Sequence, residues 1–88
     1  MNEIEKSILY KLVWETREMT CGSNVQPIQT VVYNLQKTIR YAKNVNAPET
    51  IITRLERANE ILLDATKYAD RLPADNLLCT ILNEDLGG

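Results

Sequence analysis

Histidine and phenylalanine are absent from these 88 residues, and glycine, proline and cysteine are scarce, at three, three and two. Each shortage closes a route. Without histidine no Ser–His or Cys–His pair is available for nucleophilic catalysis. A metal site would lack its commonest ligand, and Cys21 and Cys79 do not have CxxC spacing. Two cysteines are too few for a disulfide scaffold, and with no signal peptide read ahead of them the chain is expected to be cytoplasmic with reduced thiols. Gly22 stands alone before the final two glycines, so no Gly-rich phosphate loop exists. Asn-Gly and Asp-Gly turns and alternating runs are missing, which argues against strands. No apolar run approaches the ~20 residues of a membrane span.

What remains is rich in Leu, Ile, Ala, Glu, Lys and Gln, the composition of helices. Residues 1–88 therefore read as a single all-α domain. It is expected to be a small helical bundle with a short N-terminal helix, a long antiparallel helical hairpin and a short C-terminal helix. Asn2 and Glu5 have the spacing of a capping box, predicting a first helix to about Met19 that stops at Gly22. Ser23 and Gln26 have the same spacing, and Pro27 suits a first turn, predicting a second helix ending near Asn44. Asn46 as cap, with Pro48 and Glu49 behind it, predicts a third helix whose apolar residues recur as far as Leu72, where Pro73 ends it. A fourth runs roughly from Ala74 to Asp85, followed by a frayed Leu86–Gly88 end.

Charge is distributed unevenly. The chain carries a net charge of −2, yet between Glu18 and Glu49 it has no acidic residue, only Lys37, Arg40 and Lys43. At about 100° per residue, Ile28, Val31, Leu35, Ile39 and Ala42 share one side of the second helix. Tyr33, Lys37, Arg40 and Asn44 share the other, with Tyr41 at the edge. A solvated face is the ordinary reading of such a stripe. Cations beside flat rings, without carboxylates, equally suit a phosphate and a base, and a small nucleotide fits better than duplex nucleic acid.

The first helix is the second anomaly. Ile4, Ile8, Leu12 and Val13 read as its buried stripe, and Leu9, Tyr10 and Trp14 widen the apolar surface beyond it. Leu77, Leu78, Ile81, Leu82 and Leu86 add more at the C-terminal end than a short helix needs. Such an excess predicts a homo-oligomer or a partner interface. Glu56 and Glu60 read as exposed helix charges rather than an acid–base pair. The chain reads as a binding protein, not an enzyme, without a cofactor or a metal.

The segments ILYKLVWE (8–15) and QPIQTVVYNLQKTIRYAKNVNAPETIITRLERANEILLDATKYADRLP (26–73), with the missing catalytic set, resemble the tailed-phage anti-CBASS proteins in architecture and composition. No residue is carried across by correspondence. The resemblance implies a hexameric assembly that sequesters cyclic di- or trinucleotide second messengers in a bacterial host cytoplasm, antagonising antiphage signalling. Under that reading Tyr10 or Tyr33 stacks on bases, Lys37, Arg40 and Lys11 neutralise phosphates, and Tyr41 borders the site. The alternative is a small helical adaptor or inhibitor that docks on a host or phage protein through the first helix.

Overall fold

Asn2 opens α1 (Glu3–Cys21) with the expected reciprocal cap: its Oδ1 accepts from the Glu5 amide at 2.8 Å, and Glu5 Oε1 accepts from the Asn2 amide at 2.9 Å. The computed structural model describes residues 1–87. At the other end of α1 the chain turns tightly against Glu18. The amides of Gly22 and Asn24 both donate to the Glu18 carbonyl at 3.1 Å. A Cβ on Gly22 would stand 2.6 Å from Glu18 Cα, so only glycine allows this approach.

The expected Ser23–Gln26 cap does not form. Ser23 Oγ instead donates to Glu18 Oε1 at 2.6 Å, and Gln26 Nε2 to Asn24 Oδ1 at 2.8 Å. That hydroxyl, together with Arg17, holds the Glu18 carboxyl below its usual pKa. Pro27 precedes α2 (Ile28–Asn44) without any side-chain cap.

Asn46, expected to start the third helix, finishes the second. It has φ 55°, its amide donates to Lys43 O at 3.2 Å, and the Ala47 amide donates to Ala42 O at 2.9 Å. Those two bonds, with buried Ala42 and Ala47 at the 6→1 contact, form a Schellman stop. Asparagine serves either role because its short amide both caps and tolerates the left-handed region. After Pro48, α3 (Glu49–Asp64) ends about two turns earlier than expected. Asp70 breaks it by drawing the backbone outward: its Oδ2 accepts from the Thr66 amide at 3.0 Å, the Thr66 hydroxyl at 3.1 Å and the Lys67 amide at 3.2 Å. A 3₁₀ turn (Tyr68–Arg71) follows. Pro73 then lies in the first turn of α4 (Leu72–Thr80), so it starts a helix where it was expected to end one.

These backbone bonds, Thr66 first, hold the Asp70 carboxyl below the ordinary aspartate value of 3.8. A depressed folded-state pKa contributes stability above the unfolded value, lost as pH falls through the folded one. Asp70→Asn is expected to lower Tm at neutral pH and to flatten its further decline below about pH 4. Melts followed by circular dichroism across pH 2–7 would check this, and an unchanged acid limb would contradict it.

α4 continues directly into a π-helical segment (Ile81–Leu86). Arg54 of α3 fastens that segment through both oxygens of Asp85, at 2.7 and 2.6 Å. The apolar residues here serve the chain's own core. Leu78, Ile81, Leu82 and Leu86 are buried and Leu77 packs beside them, so they supply no excess surface. Leu86 is therefore not frayed, and Gly88 lies outside the described residues.

The chain is an all-α bundle in which α1 lies beside α2 and α4, and α3 beside the same two helices. Its proportions differ from expectation: α1 spans 19 residues and is the longest element, against 17 and 16 for the hairpin helices. Leu9, Leu35, Ile51, Leu55, Leu62, Leu78 and Ile81 fill the interior. No described helix is long and apolar enough to cross a membrane.

Candidate binding surfaces

The buried stripe of α1 is Leu9, Val13, Thr16 and Thr20, not Ile4, Ile8 and Leu12. Threonine reaches the interior because its hydroxyl finds a local acceptor. Thr16 Oγ1 donates to Leu12 O at 2.8 Å and Thr20 Oγ1 to Thr16 O at 2.7 Å, leaving the methyl groups for the core. Asn34 Nδ2 of α2 donates to Thr16 Oγ1 at 2.6 Å, fixing how α1 is turned. Four helical residues advance about 40° beyond one turn, so a four-residue series drifts around the helix. Going back from buried Thr16, Leu12 is half-buried, Ile8 is 44% exposed and Ile4 is 72% exposed. On the opposite flank of the same helix Tyr10 is 40% and Trp14 48% exposed. α1 thus presents four large apolar side chains to solvent.

The C-terminal half of α1 is held firmly. Arg17 Nε pairs with Asp75 Oδ1 of α4 at 3.0 Å, and that carboxylate raises the Arg17 pKa. Arg71 reaches the end of the helix and donates to Thr20 O at 3.2 Å and to Gln26 O at 2.8 Å. Burial, followed by Asp75, pushes the Cys21 thiol pKa up, which disfavours a reactive thiolate.

α2 carries the stripe that the sequence singled out. Val31, Leu35, Ile39 and Ala42 are buried as expected, Ile28 packs partly against them, and Val32 and Thr38 join them. Tyr33, Lys37, Arg40 and Asn44 are exposed, Tyr33 at 68%. The stretch free of acid in sequence is not free of acid in space. Lys43 Nζ sits 3.1 Å from Glu56 Oε2 of α3. Lys37 and Arg40 make no ion pair among the described residues.

The six residues expected to bind a ligand do not converge within one chain. Tyr10 borders a hollow of about 440 Å³ with Glu3, Lys6 and Leu86. Lys37 borders another, of about 370 Å³, beside Asn34 of its own helix and facing Trp14, Glu15 and Glu18 across the α1–α2 seam. Arg40 borders a third, of about 520 Å³, between α2 and α3. Lys11 and Tyr33 are exposed and line none of the three. Tyr41 is half-buried and packs on the core as a wall residue.

Two features of these hollows went unread in the sequence. Trp14 and Lys37 share one hollow because α1 and α2 are antiparallel, and no local spacing signals that. Asn59 of α3 lines the Arg40 hollow, and its Oδ1 is buried without a hydrogen-bond partner among the described residues. Here a signal existed: Asn59 falls four residues after Leu55 and three before Leu62, a polar side chain on the edge of an apolar stripe. Comparison with protein-family models, curated proteins and solved structures found no match.

Proposed function

We propose that this chain is a non-catalytic binding protein that lays the outward face of α1 against an apolar cleft on another protein. One observation carries the reading: α1 fills its own core with Leu9, Val13, Thr16 and Thr20 and still holds Ile4, Ile8, Tyr10 and Trp14 in solvent. Exposed aromatic anchors on a helix are typical interface hot spots, and i, i+4 apolar pairs suit a groove. Lys11 and Glu15, exposed between the two flanks, place a polar strip inside the face that a partner would have to match with polar groups. The ties at the C-terminal half of α1 favour binding further, since a helix already held in place loses little freedom on docking.

A photo-cross-linking side chain at position 8, tested in cells that produce the chain, is expected to give one discrete protein adduct. Trp14→Ala should reduce that adduct at least tenfold, while Lys37→Glu with Arg40→Glu leaves it unchanged. A cross-linker at Leu63, which is exposed on α3, serves as control and should give none. Equal adducts from both positions, or an adduct indifferent to Trp14, would overturn the proposal.

A second reading, sequestration of a cyclic di- or trinucleotide by a homo-oligomer, is favoured by the solvent side of α2. Lys37 and Arg40 are unpaired cations among the described residues, and Tyr33 offers a free ring beside them. All three lie open, so enclosing a ligand requires further copies, as the anti-CBASS resemblance implies. Native mass spectrometry reports assembly and retained ligand together. A single-chain mass, with no heat on titrating cyclic di- and trinucleotides into micromolar protein, would count decisively against it.

A further inference from the structure

We infer that the hollow between α2 and α3 is a binding site for an adenine mononucleotide, with Arg40 meeting the phosphate and Asn59, with Gln36, reading the base. The inference goes beyond both readings above, because one chain supplies every contact and neither α1 docking nor oligomerisation is needed.

Two observations converge on this hollow. The first is Asn59 Oδ1, a buried acceptor with no hydrogen-bond partner among the described residues. Buried polar atoms of native proteins are nearly always satisfied, and an exception asks for an explanation. An acceptor left unsatisfied at a helix–helix seam costs stability, and a donor brought by a ligand would remove that cost. The second is charge. Two carboxylates border the hollow, but Glu56 is matched by Lys43 at 3.1 Å and Glu60 by Arg57 at 3.2 Å. The charge left over belongs to Arg40, which has no ion pair among the described residues. The occupant is therefore an anion that also carries an N–H donor.

The neighbouring groups narrow the choice. Gln36 and Asn59 both line the hollow with side-chain amides, each of which carries a donor and an acceptor. That pattern complements the amino group and adjacent ring nitrogen of adenine, the usual partner of Asn and Gln. The Watson–Crick edge of guanine offers two adjacent donors, which suit an acceptor-only carboxylate, and both carboxylates here are already engaged by cations. Ile39 lines the same hollow and gives the base an apolar contact. A volume of about 520 Å³ lies within the range of small-ligand sites and suits one nucleotide rather than a polymer. Asn59 Oδ1 is shut off from solvent, so a ligand reaches it only when neighbouring side chains move; Gln36 and Arg40 of the lining are exposed and free to do so.

Titrating the 88-residue chain with AMP, GMP and inorganic phosphate, followed by amide chemical shifts and calorimetry, tests the assignment. AMP is expected to bind at least tenfold more tightly than GMP, with shifts centred on residues 36–40 and 56–60. Arg40→Gln should weaken both nucleotides by a similar factor. Asn59→Leu should cost AMP at least tenfold, bring the AMP-to-GMP ratio near one, and leave Tm unchanged or higher, because a buried unsatisfied acceptor is removed. Gln36→Leu, an exposed change, should reduce the AMP preference without touching stability. Equal affinity for AMP, GMP and phosphate would overturn the inference, as would full AMP binding by Asn59→Leu. A fall in Tm on that change would also overturn it, since Asn59 would then be serving the fold.

Discussion

Leu9→Ala is expected to destabilise the protein by about 3 kcal/mol, while Ile4→Ala, five residues away on the same helix, changes stability by no more than about 0.5 kcal/mol. Leu9 is fully buried in the cluster that also holds Val13, Leu35 and Leu78, so its truncation loses apolar transfer energy and leaves a cavity that its neighbours fill only partly. Ile4 is 72% exposed and has little to lose. A loss of 3 kcal/mol is a large share of the total, because a domain of this size is stable by only about 4–13 kcal/mol. In a domain this small each kcal/mol moves Tm by about 4–8 °C, so the variant should melt well below the parent. Urea melts at constant m-value would measure both changes. The pair reports directly on which face of α1 points inward. Equal losses at positions 4 and 9 would place the helix in a different rotation and remove the exposed surface on which docking depends.

Arg71→Met carries the next largest effect, expected at about 2 kcal/mol. The last carbonyls of any helix lack an intrahelical partner and must find one elsewhere. Arg71 supplies it for α1, donating through Nη1 to Thr20 O and to Gln26 O, with Met19 O more distant at 3.5 Å. A single guanidinium from the turn before α4 thus ties the end of α1 to the loop that leads into α2. Tyr68 supports it, with its ring centroid 5.9 Å from the guanidinium carbon and its hydroxyl 3.4 Å from Cys21 O. Removing the guanidinium leaves half-buried carbonyls unmatched, and hydrogen bonds from charged donors are the stronger kind. Arg71→Lys should recover less than half of the loss, since the lysine nitrogen lies one bond short of Nη1 and its compact ammonium is more strongly hydrated. Hydrogen exchange should quicken first at the Gly22, Asn24 and Gln26 amides, which close this loop. A change within the ±0.5 kcal/mol of ordinary surface substitutions would show that the clamp contributes no stability.

Several elements are legible in the sequence because they depend on neighbours along the chain. The Asn2–Glu5 cap needs only a three-residue spacing, and it forms as read. The apolar side of α2 is long and strongly periodic, so its buried and solvent sides follow from helical geometry alone. α3 ends earlier than its apolar rhythm implies for a physical reason. Ala65, Ala69 and Leu72 continue the apolar rhythm, but none of them is buried, and Asp70 holds the backbone of Thr66 and Lys67 more strongly than a weak apolar face could. Asn46 and Pro73 both mark helix boundaries in the sequence, but Asn46 closes α2 rather than opening α3 and Pro73 opens α4 rather than closing α3, since each residue type serves at both kinds of boundary.

The candidate surfaces divide in the same way. Exposure of Tyr33, Lys37 and Arg40 was readable from their positions on α2. Their separation into different hollows was not, because each hollow is closed by a different neighbouring helix.

Composition, capping and periodicity by themselves determined an all-α chain, the start of α1, the inward side of α2 and the scarcity of groups for chemistry. Those are properties of a helix and its own residues, set by bonds four positions apart. Tertiary structure alone decided which rotation of α1 is buried, through Asn34 on Thr16. It also decided that Glu56 answers Lys43, and that Asn59 Oδ1 is buried without a partner among the described residues. Each of these joins groups on different helices or depends on how two helices pack, so it is set by packing that no local spacing encodes.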